Sequence, residues 1–238
     1  MVDDTEHRGD IKHRSNSRRL DARHAAIESP EDTLAQKSVR PAREDDICIL
    51  LYSNDLDENA LLRGRQAILQ TILGGRVVTP VHLTTHRFEV QDDAIMRRLF
   101  NNLADRLENV GNDHHGCSPF PITALSYVPL YSAFRDVNLL KWRIRTNVEL
   151  YQYTMLVDEV LEATGIQSVF PPGWVSSLVT ALEDIPELCY DRQELNRDLQ
   201  LAKEPFPRHL FTANEIALSR VKGPEEFEIL ERISFNGT

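Results

Sequence analysis

Apolar positions keep no steady period at the start of the chain. Over residues 1–46, Ile11, Leu20, Ile27, Leu34 and Val39 are scattered among Arg, Asp, Glu, Ser and His, and no aromatic residue occurs. So little apolar surface does not offset the entropy of ordering, and a disordered or weakly helical tail is expected there. The pattern changes after Asp45-Asp46. Ile47-Cys48-Ile49-Leu50-Leu51-Tyr52 is a continuous apolar run of strand length, closed by Ser53-Asn54-Asp55, and predicts a central strand. From Leu56 to Leu73, Leu61, Leu62, Ala67, Ile68, Leu69, Ile72 and Leu73 recur at helical spacing, after an acidic start and before Gly74-Gly75. Val81 to Val90 alternates apolar and polar residues, and Asp92 to Val110 returns to the helical period through Ile95, Leu99, Leu103 and Leu107. The first half therefore reads β-α-β-α.

Past the turn-rich Gly111-Asn112-Asp113-His114-His115-Gly116, strands are expected over Ile122–Val128 and Leu139–Ile144. A helix follows from about Val148 to Ala163, with Leu150, Tyr153, Leu156, Val157, Val160 and Leu161 on its apolar side and Gly165 as its stop. Pro171-Pro172-Gly173 opens an apolar stretch, Trp174–Leu182; a looser helical segment spans Asp184–Leu201, and the last strand is Phe211–Arg220. This order, with no Gly-rich phosphate loop between strand and helix, predicts an α+β fold over 47–238 rather than a doubly wound dinucleotide fold.

Composition narrows the class of protein. Of 238 residues, 41% are hydrophobic and 27% charged, ordinary values for a globular chain. The acidic excess lies in the folded part, which carries 26 acidic against 18 basic residues and so most of the net charge of −10. That balance argues against broad, sequence-independent binding of nucleic acid, which needs Lys and Arg to neutralise phosphates, but it leaves room for a pocket for one phosphate. Met1-Val-Asp-Asp-Thr-Glu has neither a basic flank nor an apolar run, and no stretch approaches the length of a spanning helix, so a cytoplasmic protein without membrane contact is expected. Cys48, Cys117 and Cys189 are odd in number and far apart, which suits buried thiols better than disulfides or a zinc site.

The most informative stretch is Pro80-Val81-His82-Leu83-Thr84-Thr85-His86-Arg87-Phe88. Strand alternation places His82, Thr84 and His86 on one face, opposite Val81, Leu83 and Thr85. An imidazole can pass a proton to or from a phosphoester oxygen, while a threonine two residues on can hydrogen-bond a non-bridging oxygen. Arg87 and Arg220 suit surface ion pairs better than a phosphate fork, and adjacent His114-His115 in a turn suit solvent better than a metal. The aromatic-rich stretch Phe120–Phe134 with Trp142 fits base stacking or simple packing equally well.

A strand, a helix, a His-x-Thr strand and a helix resemble the first lobe of the 2H phosphoesterases, the 2′-5′ RNA ligase-like and cyclic phosphodiesterase family. Phe211–Arg220 and the following Val-Lys-Gly-Pro-Glu-Glu-Phe-Glu-Ile-Leu230 resemble that family's closing strand and tail, and Leu140-Lys-Trp-Arg-Ile144 the opening of its second lobe. The resemblance covers about residues 46 to 235. It implies a bilobal fold of two antiparallel sheets lining a cleft with helices outside. It also implies paired His-x-Thr strands acting as base and acid on a 2′,3′-cyclic phosphate or 2′-5′ phosphodiester of a nucleotide or RNA end, without metal or nucleotide cofactor, in a monomer.

The second motif departs from the family. Its place falls at Ser177-Leu178-Val179-Thr180-Ala181: one register aligns Thr180 with the family's threonine and Leu178 with its histidine, and the other aligns Ser177 and Val179 and loses both. His82 and Thr84 are then the expected catalytic residues, Thr180 and His86 the expected substrate contacts, with His86 or His209 as stand-ins for the missing imidazole. Two further outcomes stay open: a non-catalytic nucleotide or RNA-phosphate binding protein of the same fold, and a scaffold whose tail recruits a partner.

Overall fold

The computed structural model describes residues 39–40, 42–108, 117–132, 136–186, 209–223 and 226–235. Residues 1–38 of the expected tail, His114-His115, Cys189 and all but the first three residues of the helical segment expected over Asp184–Leu201 lie outside the described residues. In chain order the elements are β1 (Ile47–Tyr52), α1 (Leu56–Leu73), β2 (Arg76–Val77), β3 (Leu83–Phe88), α2 (Asp93–Glu108), β4 (Phe120–Ser132), β5 (Val137–Ile144), α3 (Val148–Thr164), β6 (Leu178–Glu183), β7 (His209–Ala213), β8 (Glu215–Gly223) and β9 (Glu226–Ser234). They form two antiparallel sheets, ordered β3-β1-β8-β9 and β2-β6-β5-β4-β7, with helices alongside, the α+β architecture expected.

Local chemistry sets the helix ends. The Asp55 carboxylate accepts from the Asp57 and Glu58 N–H groups, and Gly74, at φ 71°, returns its N–H to the Gln70 carbonyl. Asn147 caps α3 by accepting from the Leu150 N–H, and Gly165 closes it in the left-handed conformation. Although α1 follows a strand of the first sheet, it packs on β2, β6 and β7 of the second. Gln66, fully buried on α1, donates to the Val78 and Ala181 carbonyls at 3.0 and 2.9 Å, which ties the helix to that sheet. α2 packs on β9 and α3.

One large core fills the helix sides of both sheets, with Ile49 and Leu51 from β1, Trp142 from β5, Val179 from β6 and Tyr153 from α3. Each such side chain contributes roughly 1.5–3 kcal/mol by leaving water. Phe120, Tyr127 and Trp142, considered above as a stacking platform, belong to this core. A smaller cluster of Cys48, Leu50, Tyr52, Ala217 and Val221 lies on the other face of the first sheet.

Two expectations need correction. The strand expected over Phe211–Arg220 is two strands in different sheets, parted at Asn214. This buried residue pairs with Asn54 through both side-chain atoms and returns its N–H to the Tyr52 carbonyl, so the chain changes sheet there. The segment read as a tail, Val221–Leu230, continues β8 to Gly223 and then enters the edge strand β9, Glu226–Ser234. Its exposed Glu226, Glu228, Glu231 and Arg232 give it the charge that keeps an open sheet edge from pairing with another chain.

Candidate functional site

The first motif sits on a bulged strand. β1 and β3 pair with Ile49 opposite His86 but Leu50 opposite Thr84, so Thr85 is an extra residue on β3. The bulge changes which residues share a face. His82 and Thr84 stand on the side of Leu50, away from the helices, whereas His86 stands with Ile49 on the helix side. The expected grouping of His82, Thr84 and His86 is therefore broken: unbroken alternation requires an unbulged strand.

His82 is buried, with 6% exposure. Its Nδ1 lies 2.8 Å from the Pro80 carbonyl oxygen, and since a carbonyl only accepts, Nδ1 carries the proton and Nε2 is the basic atom of the neutral ring. The ring meets Phe227 edge-on, with centroids 5.0 Å apart. Because β3 and β9 are opposite edges of the sheet, this contact records a strong curl that brings the two edges together over Leu50 and Ala217.

The second motif's place repeats the same backbone. β5 and β6 pair with Lys141 opposite Thr180 but Leu140 opposite Leu182, which makes Ala181 the extra residue. In each strand the bulge follows the threonine directly. The match selects the register in which Thr180 corresponds to Thr84 and Leu178 to His82. Thr180 is buried, with 6% exposure, and stands with Leu178 on the side of its sheet away from α1, while Val179 and Ala181 enter the core. β3 and β6 touch where the sheets meet.

Sequence reasoning assigned no role to two neighbours of this strand. Lys141 and Arg143 alternate with the core residues Leu140, Trp142 and Ile144, which puts both cations on the face of Thr180 and Leu178. That alternation was visible in the sequence. On the first sheet the corresponding face ends in a polar knot: the Tyr52 hydroxyl bonds the Glu215 carboxylate, and Arg232 reaches both, at 2.5 and 3.0 Å. Burial and then the Glu215 contact push the Tyr52 hydroxyl above its ordinary range. Burial would raise Glu215, but hydrogen bonds from Tyr52, Arg232 and Asn54 hold it low.

The remaining candidates lie elsewhere. His86 is 1% exposed; its Nε2 is 3.3 Å from Asp158 of α3, and its Nδ1 is 3.1 Å from the Thr85 hydroxyl. Asp158 also accepts from the Gly173 N–H at 2.7 Å, and these bonds outweigh burial and hold its carboxyl below the usual range. His209 begins β7 and contacts Glu58 at 3.0 Å. Arg87 bonds the Arg40 carbonyl, faces the Phe170 ring and lies 3.7 Å from Asp46; Arg220 faces Asp45 and Glu228. Among the described residues no three His, Cys, Asp or Glu side chains converge as a metal site. Two surface cavities, of about 650 and 390 Å³, flank α3 and α2, and neither is lined by His82, Thr84 or Thr180.

No protein-family model matches this sequence, and no curated protein matches it. Solved structures match it by shape. A crystal structure of a phosphoesterase superposes with a TM-score of 0.50 at 14% identity, over 81% of this chain and 99% of the other. E. coli LigT complexed with NADP+ gives 0.50 at 14% identity, and complexed with 3′-AMP 0.51 at 15%, each over 82% of this chain and 99% of LigT. The fold of this chain is the two-sheet α+β fold of the 2H phosphoesterases.

Proposed function

We propose that the helix-free faces of β3 and β6 bind a phosphoester of a nucleotide or RNA end, a 2′,3′-cyclic phosphate or a 2′-5′ phosphodiester, with His82 as the one acid–base group. The observation that carries this reading is the repeated bulge, which gives Thr84 and Thr180 equivalent places beside a histidine in one strand and a leucine in the other. The LigT complexes with NADP+ and 3′-AMP, in a protein of the same fold, support a nucleotide ligand.

The chemistry follows from the residues. Pro80 holds the Nδ1 proton of His82, so Nε2 accepts a proton from the attacking hydroxyl or water, or returns one to the leaving oxygen. Thr84 and Thr180 donate to the non-bridging phosphate oxygens. Among the described residues one of the two proton transfers has a side chain to serve it, and the other falls to water. A positioned acid or base is worth about 10²–10⁴-fold, so turnover is slower by about that factor than in a cleft with two imidazoles. Leu178 favours a second reading, in which the site binds the phosphoester and releases it unchanged.

The test is incubation of the purified protein, beside His82→Ala, with nucleoside 2′,3′-cyclic phosphates and 2′-5′-linked dinucleotides. Slow product formation that disappears in His82→Ala supports the catalytic reading. Saturable binding without product supports the receptor reading. A protein that neither binds nor converts any of these compounds contradicts both.

A further inference from the structure

The connection from α3 into β6 holds two aromatic rings outside the core. Phe170 and Trp174 stack with centroids 4.3 Å apart and planes 25° from parallel, and among the described residues neither belongs to either apolar cluster. Both are half-buried, so each leaves in water apolar surface that a core position would cover. The connection is nevertheless held along its length. The Val169 N–H donates to the Arg87 carbonyl at 2.6 Å, the Phe170 N–H to the Ser168 hydroxyl at 3.1 Å, the Gly173 N–H to Asp158 at 2.7 Å and the Trp174 N–H to the Pro171 carbonyl at 3.0 Å. Between these bonds Pro171 and Pro172 fix their own φ angles. The ring pair is thus set in place before any ligand arrives.

Its position ties it to the site. Arg87 pairs with Cys48 and so rises on the helix-free face, as Thr84 does, and its guanidinium lies 5.4 Å from the centroid of the Phe170 ring. Arg87 is three residues beyond Thr84, about 10 Å of strand at most, within the span of one nucleoside phosphate. Trp174 stands four residues before Leu178, where the second motif strand begins. Resting on the phosphoester reading above, we infer that Trp174, backed by Phe170 and Arg87, is a stacking platform for the base of the bound nucleotide and favours a purine. Guanidinium, phenyl and indole form a ladder with Trp174 at its outer end, and a base laid on the indole continues it. Stacking reads the area of a base's flat face and not its edge, so it separates purines from pyrimidines and treats adenine and guanine alike. Arg87 keeps its present bonds throughout, supports Phe170 and makes no contact with phosphate.

Fluorescence and calorimetric titration of the full chain tests this with three ligands: adenosine 2′,3′-cyclic monophosphate, uridine 2′,3′-cyclic monophosphate and the base-free methyl riboside 2,3-cyclic phosphate. The chain has two tryptophans, and Trp142 is fully buried, so quenching reports on Trp174. The adenosine ligand is expected to bind about 5- to 150-fold more tightly than the base-free one and to quench Trp174, with the uridine ligand between them. Trp174→Ala brings the adenosine ligand down to the level of the base-free one, whose own affinity stays within about twofold. Trp174→Phe, which keeps a ring, retains most of the preference. A Trp174→Ala protein that keeps the adenosine preference, or that loses affinity for all three ligands alike, overturns the platform; His82→Asn weakening all three then leaves the phosphoester site standing. No binding of any of the three to the wild type overturns both.

Discussion

At the first motif, His82 just before β3 and Thr84 within it stand on the helix-free face and Thr85 is the extra residue that bends the strand; in β6, Leu178 and Thr180 stand on the corresponding face and Ala181 is the extra residue. The backbone device is the same and the side chains differ. A bulge re-aims the strand and lets the residue after the threonine enter the core, and that packing role is served by Thr85 and Ala181 alike, with 2% and 0% exposure. An imidazole on the open face has no such packing role. The fold therefore persists in the second half whether or not proton chemistry does, which is why shape alone does not decide activity.

The largest expected effect comes from removing the asymmetry. Leu178→His places a second imidazole where the matching bulge aims it, and turnover of a 2′,3′-cyclic nucleotide rises by about 10²–10⁴-fold. The gain vanishes when His82→Ala is added. A folded Leu178→His protein with unchanged turnover would show that the two strands are not functionally equivalent.

His86 separates proximity in sequence from placement in space. His86→Leu strips the Asp158 carboxylate of its buried partner and costs about 2–3 kcal/mol in a denaturant titration, discounted from a fully buried pair because Asp158 keeps the Gly173 N–H and some solvent. Nucleotide affinity of the folded protein stays within about twofold. A His86 variant of full stability that no longer binds nucleotide reverses the assignment.

The acid limb of stability sharpens the view of the chain's other carboxylates. Burial would raise Glu58, but the Thr212 N–H, His209, Ser53 and the Thr212 hydroxyl together bring it down to about 2 from 4.5. An acid held low in the folded state stabilises fully above its unfolded value, and that contribution is lost as pH falls through the folded one. Stability attributable to Glu58 is thus complete above pH 4.5 and lost between 4.5 and 2, and Glu58→Gln flattens the pH dependence of unfolding over that window. Asp158 adds to the same acid loss. An unaltered slope in Glu58→Gln contradicts the assignment.

The smallest effect is expected at His209, half exposed beside Glu58. His209→Ala changes stability by about 0.2–1 kcal/mol and leaves phosphoester binding as it was. A clear loss of turnover or affinity in this variant would bring β7 into the site.

Much of this was legible in the sequence because it is local. Asp55 and Gly74 bound α1 by capping chemistry, and β1 follows from an unbroken apolar run. Placing His82 and Thr84 on one face needs only two residues of alternation. Placing His86 needs four, and the bulge at Thr85 intervenes with no mark of its own, since a threonine suits a regular or a bulged strand equally. The split at Asn214 was hidden for a similar reason: Phe211–Arg220 contains no glycine or proline to mark a break, and the tertiary pairing of Asn214 with Asn54 tells one strand from two. β9 was missed because its exposed charges, which protect an edge, also resemble a solvated tail. The face of Lys141 and Arg143 was legible by alternation, but only the pairing of β5 with β6 places them beside Thr180.

The central claim is that His82, and neither His86 nor His209, meets the phosphoester. Imidazole resonances recorded by NMR during titration with adenosine 2′,3′-cyclic monophosphate test it directly, with signals assigned through His82→Asn, His86→Leu and His209→Ala. The account predicts a saturable shift of the His82 ring signals, with those of His86 and His209 nearly still. Saturable shifts at His86 or His209 with His82 unmoved, or no ligand-dependent shift at all, would contradict it.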